Sequence, residues 1–529
     1  MSTTTAGSET PARRDDPAPA RRTFLPGLPT WVMGLLLVLL HLAVTFQVRP
    51  APRWNDGIFV LNDARDFPHV PLDHHALRIG NLLPVRAFLE MFGYGQVAYY
   101  AWPFLTAILL VVAVFALGVV LFDRWTAAAA TALLIFHPVL VDTVIKAGTE
   151  RMTSWQLLPD IPSTAFVTTG FALLVGAAHR RSRTATGEDS QGRPGDGAAT
   201  WWFLLAGFCF GWAYLVRELS VFFYPLVLGV LIAWRLPWRR WVQLAVPMLG
   251  CLVLEMVLAQ WAHGDPLARL KVDGDHGSAP LTPITRVDAL LRFPRIVEVY
   301  PQTVVVMTSF VLMVLGALVV RRRAHVLLLA WFVVIWLPLT LVSGLLDPGF
   351  IRINASLMRY WVPVLPALVL GSAGFVAWLL GLLRARLPAD RRQAGVAVTA
   401  VVAVLGVAVA VVPLLRPIHR NPRDQGWNAV RAYLREHDRR IDTVITDDRD
   451  ALVLGIYSRD PVGGDLVVRT DIEKVGHALG APPESPGDPG TYLIWTPGLS
   501  RKHPKVSDGW KPVVTQFQLR VYAPTTPTG

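Results

Sequence analysis

Charge is scarce in this sequence. Asp, Glu, Lys and Arg make up 17% of its 529 residues against 53% hydrophobic residues, and the mean hydropathy is +0.42. That balance excludes an ordinary soluble chain and implies many membrane spans. Cysteine is scarcer still. Cys209 and Cys251 both lie inside apolar runs, so a disulfide framework on an outer face is excluded and the two read as packing residues. Acids are the minority charge, 38 against 50 Lys and Arg, for a formal net charge of +12. In a soluble chain that excess would suggest nucleic acid. Here arginines bordering the spans account for it, and no nucleic-acid partner is expected.

Residues 1–30 are polar, rich in Thr, Ala and Pro, and read as a disordered cytoplasmic tail. Residues 31–46 have the basic flank of a signal peptide, but no small-residue cleavage site follows, so they are taken as the first span. Apolar runs of span length or near it follow at 98–121, 127–145, 164–178, 201–216, 219–234, 241–261, 304–320, 326–345, 360–383 and 394–415, which makes eleven. Arg124, the group Arg180, Arg181, Arg183 and Arg193, then Arg235, Arg239 and Arg240, Arg321 to Arg323, and finally Arg384, Arg386, Arg391 and Arg392 fall in alternate loops, on the side of the N-terminus. The opposite loops are longer and hold most of the acids. The positive-inside rule then puts the N-terminus in the cytoplasm, and the odd count puts the C-terminal region outside.

The fold class expected is a polytopic α-helical membrane protein of the cytoplasmic membrane. A transmembrane domain covers residues 31–415, with outer loops at 47–97, 142–163, 262–303 and 346–359, and residues 416–529 form a small extracytoplasmic α/β domain. In that domain helix-like stretches (426–438, 450–457, 471–479) alternate with strand-like ones (441–446, 492–496, 513–516, 519–522). Residues 179–200, polar and Gly-rich without periodicity, read as a flexible cytoplasmic linker.

The run 201–234 is interrupted only by Arg217-Glu218, yet the arginine alternation requires it to cross twice. Each arm then has about 16 residues, about 24 Å of helix against a hydrocarbon core of about 30 Å. The turn is therefore expected to be submerged, and a charge at that depth faces protein or a water-filled cavity. The plain structural alternative is that Arg217 and Glu218 pair with each other.

The other polar residues converge in the outer loops. The first loop contains two helix-like pieces, 56–66 and 77–92, expected to lie along the membrane surface with Arg78 and Arg86 pointing to headgroups. Its acids are Asp56, Asp63, Asp66 and Asp73. The second loop carries Lys146, Arg151 and Pro159-Asp160-Ile161-Pro162, and the third is Gly- and Pro-rich, a lid or a solvated loop. The fourth ends at Arg359, directly before Tyr360-Trp361-Val362-Pro363-Val364-Leu365-Pro366. Asp56 also suits a helix N-cap, Asp160 a cap on span four, and Arg359 a headgroup anchor. Asp73-His74-His75 has neither helical i,i+4 spacing nor a Cys partner, so no metal site is read there.

Together these residues resemble the C-type (GT-C) membrane glycosyltransferases that use polyprenyl-phosphate sugars, in the group related to protein O-mannosyltransferases and the lipid A aminoarabinose transferase. That group opens its first outer loop with a pattern like D-E-x-x-Y followed by A-R. Asp56, Phe59, Ala64 and Arg65 stand at matching spacing, while Gly57 and Phe59 depart from it in kind. Pro159-Asp160-Ile161-Pro162, the G-x-A-Y-L-x-R-E run at 211–218 and the R-Y-x-x-P-x-x-P run at 359–366 are the other points of likeness, and the resemblance spans roughly residues 31–383. With Gly57 in place of a paired acid, no metal-binding role is carried over, and no cofactor is expected.

The resemblance implies transfer of a sugar from a polyprenyl phosphate to a glycan, lipid or protein hydroxyl. Such a transfer needs a carboxylate to accept the hydroxyl proton and cations to stabilise the departing phosphate. Asp56 is the expected general base, with Asp160 assisting or positioning the acceptor. Arg217, Arg359 and either Lys146 or Arg151 would hold the phosphate, with Glu218 and Tyr360 in the same cavity. Two rival readings are a lipid-linked sugar or lipid transporter and a non-catalytic envelope-assembly protein. Against the transporter, no inverted repeat of broken helices is visible.

Overall fold

A computed structural model describes residues 28–48, 52, 56–141, 157–185, 196–275, 285–299, 304–348, 358–386, 422–437, 443–458, 467–480, 490–495, 505–516 and 519–525. The first described helix is α1 (Thr30–Val48), followed by the loop helices α2 (Asp56–Asp66) and α3 (Ile79–Phe92). Next come α4 (Gln96–Leu121), α5 (Arg124–Ile135), the single turn α6 (Pro138–Val141), α7 (Asp160–Ala185) and α8 (Asp196–Val216). A 3-10 turn (Glu218–Phe223) leads into α9 (Tyr224–Ala233) and α10 (Trp238–His263). The loop that follows holds α11 (Ala268–Asp275), α12 (Arg286–Leu290) and α13 (Arg292–Val299). The helices α14 (Val304–Leu315) and α15 (Arg323–Thr340), each continued by a π turn, and the 3-10 turn Met358–Val364 with α16 (Leu365–Arg386) complete the described bundle.

Ten of the eleven expected spans fall on these helices, the third as far as Val141, and the eleventh, 394–415, lies outside the described residues. Among the described residues five helices are long and apolar enough to cross a membrane, and Thr30–Phe46, Thr200–Val216, Glu218–Ala233 and Val304–Val320 are shorter apolar helices. The expected linker 179–200 is helical at both ends: residues 179–185 extend α7 and residues 196–200 begin α8. Its middle, like most of the expected tail, lies outside the described residues.

α4, α7, α8 and α10 pack side by side in that order. The α8–α10 contact depends on a Gly207-x-x-x-Gly211 stripe: a Cβ on Gly207 would lie 2.0 Å from the Leu244 carbonyl oxygen. In lipid, where apolar surface gains nothing by leaving its solvent, such close backbone approach is a main source of helix association. Aromatic rings fill the middle of the bundle, with Phe171 against Phe210, Phe223 and Trp331 at ring separations of 5.0, 6.1 and 4.7 Å.

The loop arginines gather at one end of the bundle. Arg124 donates to the Leu28 carbonyl at 2.9 Å, Arg180 lies over the Trp202 ring, Arg240 donates to the Thr200 hydroxyl, and Arg323 and His179 both meet Trp234. Asp56, Asp160, Arg217 and Arg359 lie at the other end, where a small α/β domain docks.

That domain contains α17 (Pro422–Glu436), β1 (Thr443–Asp447), α18 (Asp448–Ser458), β2 (Val467–Thr470), α19 (Ile472–Gly480), β3 (Thr491–Trp495), β4 (Trp510–Gln516) and β5 (Leu519–Pro524). The sheet order is β2-β1-β3-β5-β4. β1 runs parallel to β2 and β3, with Ile445 opposite Val468 and Leu493, and β5 is antiparallel to both β3 and β4. Four-residue β2 was not legible in the sequence. One apolar cluster joins the domain to the loop helices, with Trp427, Val430, Leu454 and Ile456 packed with Ile58, Leu61, Leu82 and Tyr99. The Tyr457 hydroxyl adds a 3.0 Å hydrogen bond to the Pro52 carbonyl.

Candidate active site

Asp56 is the first residue of α2, where a carboxylate faces favourable backbone N–H dipoles. Its Oδ2 accepts a hydrogen bond from Arg359 Nη1 at 2.7 Å, across 303 positions of sequence. Arg359 is carried by the 3-10 turn before α16. Burial works against the Asp56 charge, but Arg359, then His75 and Arg78, outweigh it and hold its pKa below the usual carboxylate value.

His75 stacks on Phe59, one turn along α2 from Asp56, at 5.3 Å and 9° between planes. Burial, followed by the charges of His74 and Arg78, pushes the His75 pKa down to about 4, so a neutral imidazole lies beside Asp56 at neutral pH. Asp73 Oδ1 accepts from the backbone N–H groups of His75 and Ala76 at 2.7 and 2.8 Å, and so holds this loop.

Asp160 begins α7, and its carboxylate forms an ion pair with Arg217, the residue that precedes the 3-10 turn after α8. Both side chains are almost wholly enclosed, Asp160 at 1% and Arg217 at 3% exposure. The Tyr360 ring connects this pair to the first: the Arg217 guanidinium carbon lies 4.9 Å and that of Arg359 5.5 Å from its centroid. Asp56, Arg359, Tyr360, Arg217 and Asp160 therefore form one continuous chain of contacts.

Glu218 does not close the turn with Arg217. Its two carboxylate oxygens meet Arg78 and Arg269, each at 3.5 Å. Arg269, on α11, also pairs with Glu255 of α10, donates to the Tyr214 carbonyl at 3.0 Å and lies over the Tyr214 ring. The start of the third loop is thus pinned to the bundle.

Two expectations for arginines are corrected. Arg78 does not reach for headgroups; it is 7% exposed and faces Glu218. Gly80 makes this placement possible, since a Cβ there would meet the Val216 backbone nitrogen at 2.6 Å and push α3 off the end of α8. Arg86 caps the C-terminus of α2, donating to the carbonyls of Ala64, Arg65 and Phe67, and pairs with Glu90 at 2.7 Å. Headgroup contact is the expectation for both because loop helices of this kind often lie on a membrane surface. Glu218 and the end of α8 enclose Arg78 instead, and the end of α2 takes Arg86.

The remaining acids of the first loop have other surroundings. Asp63 is pushed up to about 7 by burial and by the neighbouring charges of Asp73 and Asp66. Asp66 is paired with Arg65 at 2.6 Å. Lys146 and Arg151 lie outside the described residues, and among the described residues no group of three His, Cys, Asp or Glu side chains is arranged to hold a metal ion. Arg78 and Arg269 are the site residues that sequence reasoning missed. A cation beside a predicted helix start was the available signal for Arg78, whereas Arg269 sits in a loop with mixed charges that offered none.

The described residues thus form a helical bundle with paired carboxylates and arginines gathered at one end and a small sheet domain over them. Residues 87–262 match the profile of the dolichyl-phosphate-mannose-protein mannosyltransferase family. Among solved structures, ArnT from Cupriavidus metallidurans bound to undecaprenyl phosphate is similar at a TM-score of 0.54 and 15% identity, over 94% of this chain and 98% of that one. Its apo state gives 0.51 at 15% identity, over 93% and 97%. The oligosaccharyltransferase of Archaeoglobus fulgidus tethered to an acceptor peptide gives 0.45 at 12% identity, over 88% and 68%. No curated protein sequence matches the chain. The likeness to ArnT is one of fold, and it agrees with the class read from the motifs.

Proposed function

We propose that this chain moves a sugar from a polyprenyl phosphate to a hydroxyl of a cell-envelope glycan, lipid or protein, at the outer face of the cytoplasmic membrane. The observation that carries the reading is the meeting of the Asp56–Arg359 and Asp160–Arg217 pairs across the Tyr360 ring. A fold similar to that of a protein solved with undecaprenyl phosphate, and a match to a family named for a dolichyl-phosphate sugar, support a lipid-phosphate donor. The arginines gathered at the other end of the bundle support a cytoplasmic location for that end.

In the proposed reaction the acceptor oxygen attacks the anomeric carbon and gives its proton to Asp56. The bond from that carbon to the phosphate oxygen breaks, and the electron pair leaves with the lipid phosphate. Arg359, Arg217 and Arg78 face the growing negative charge, aided by Lys146 or Arg151, which follow α6 in the sequence. Asp160, enclosed with Arg217, holds that guanidinium in place; its burial favours this role over contact with the acceptor. Glu218 holds Arg78 and Arg269 in the same way.

Membranes containing the full-length chain, given a panel of polyprenyl-phosphate sugars, are expected to release polyprenyl phosphate from one of them when acceptor is present. Release no greater than in membranes lacking the chain would overturn the reading, and movement of intact lipid-linked sugar without cleavage would establish a transporter instead. Tyr360 supplies a narrower test. A cation–π contact contributes about 0.5–2 kcal/mol, so Tyr360→Leu should raise the KM for donor about tenfold, while Tyr360→Phe, which keeps the ring, should leave it within about twofold. Equal KM values in the two variants would show that the ring does not position the arginines.

A further inference from the structure

All four arginines of the cluster are already engaged by carboxylates. Arg359 is held by Asp56, Arg217 by Asp160, Arg78 by Glu218, and Arg269 by Glu218 and Glu255. An anionic donor therefore enters a site whose cations are matched, and it has to compete for at least one of them. Exposure decides which. The side chains of Arg217, Arg269 and Arg78 are 3%, 5% and 9% exposed, whereas that of Arg359 is 20% exposed and its partner Asp56 24%. Removing a deeply enclosed arginine from its carboxylate would leave a buried charge unmatched, but the Arg359–Asp56 pair can exchange partners at the edge of the site.

The consequence falls on the base. A carboxylate whose charge is matched by a guanidinium at 2.7 Å is a weak proton acceptor. We propose, resting on the transferase reading above, that Arg359 is a shared counter-ion: the donor's lipid phosphate draws it from Asp56 and so releases the carboxylate to take the acceptor proton. Donor binding then comes before proton abstraction and enables it. Paired with Asp56, Arg359 lowers the carboxyl pKa, so the base is held weak until a phosphate takes its partner. Arg359 stays in contact with Tyr360 in the resting arrangement, within reach of the Arg217 side of the cluster.

The test is equilibrium binding of undecaprenyl phosphate, without sugar, to the purified full-length chain and its variants, in a thermodynamic cycle. Coupling free energies between sites typically correspond to about 5–150-fold in affinity. Asp56→Asn removes the competitor and is expected to tighten binding about tenfold. Arg359→Gln is expected to weaken it by about tenfold or more. In the Arg359→Gln background the tightening from Asp56→Asn should vanish, because there is no arginine left to compete for. If Asp56 merely repelled the phosphate, the tightening would persist or grow in that background, and the shared counter-ion would be refuted while the donor site stood. Unchanged or weakened binding by Asp56→Asn alone would refute it equally. Failure of every form, wild type included, to bind undecaprenyl phosphate would overturn the transferase reading itself and the coupling with it. Thermal unfolding of each variant in the same detergent identifies any that fails to fold, and Arg359→Met, which also removes the charge, then replaces Arg359→Gln.

Discussion

Asp56→Asn is expected to lower turnover about 10²–10⁴-fold, the range that a positioned general base contributes, with little change in folding. Asparagine has nearly the shape of aspartate and can still accept a hydrogen bond from Arg359, but it cannot take a proton. The pair is partly open to solvent, at 24% and 20% exposure, and ion pairs of that kind contribute only about 0–1 kcal/mol to stability. Activity with the lipid-linked donor and thermal unfolding, measured on the same preparation, separate the two quantities. Turnover within a few-fold of wild type would remove Asp56 from the chemistry. The sign of the pH effect follows from the lowered pKa of this carboxylate. Its pairing contributes stability above the unfolded-state carboxylate value, and that contribution is lost as pH falls through the lower folded value. In free enzyme the acidic limb of kcat/KM should accordingly lie below the ordinary Asp pKa of about 3.9.

The second large effect is expected at the buried pair. Asp160→Asn leaves the Arg217 guanidinium enclosed at 3% exposure without its counter-charge, and breaking a buried pair from one side typically costs about 3–5 kcal/mol. The thermal midpoint should fall sharply. Replacing both partners, as in Asp160→Asn with Arg217→Gln, removes the uncompensated charge and should recover most of that loss, yet activity should stay low because the arginine proposed to face the donor phosphate is gone. Arg217→Ala alone should weaken donor use and destabilise as well, since it strands the Asp160 carboxylate. Wild-type stability in Asp160→Asn would show that the pair does not carry the packing assigned to it, and restored activity in the double variant would remove Arg217 from donor binding.

These two residues show how far one-dimensional reasoning reaches. Arg217-Glu218 stood out as the only charges between two apolar arms of about 16 residues, too short to bring the turn to the surface of a core about 30 Å thick; in the structure α8 is 21 residues long, Arg217 is enclosed by protein and Glu218 keeps 27% exposure. That argument needs only rise per residue and hydropathy. It could not name the partners: Arg217 reaches Asp160, and Glu218 reaches Arg78 and Arg269, none of them adjacent in sequence. The same limit explains Arg78 and Arg86. Their place on an amphipathic loop helix was legible, but what covers that helix was not.

Hydropathy and periodicity were sufficient to put ten of the eleven expected spans on described helices, start α2 at Asp56 and expect a small sheet domain after the bundle, because each depends on a few neighbouring residues and on the solvent they face. The choice among Asp56, Asp63 and Asp66 rested on a pattern match, and tertiary contacts gave it a physical basis. Asp56 meets Arg359, Asp63 is pushed up to about 7 among other acids, and Asp66 is taken by Arg65. Electrostatic interaction depends on distance in space and on burial, and 303 positions of chain separate Asp56 from the arginine that pairs with it. Folding alone brings those two together.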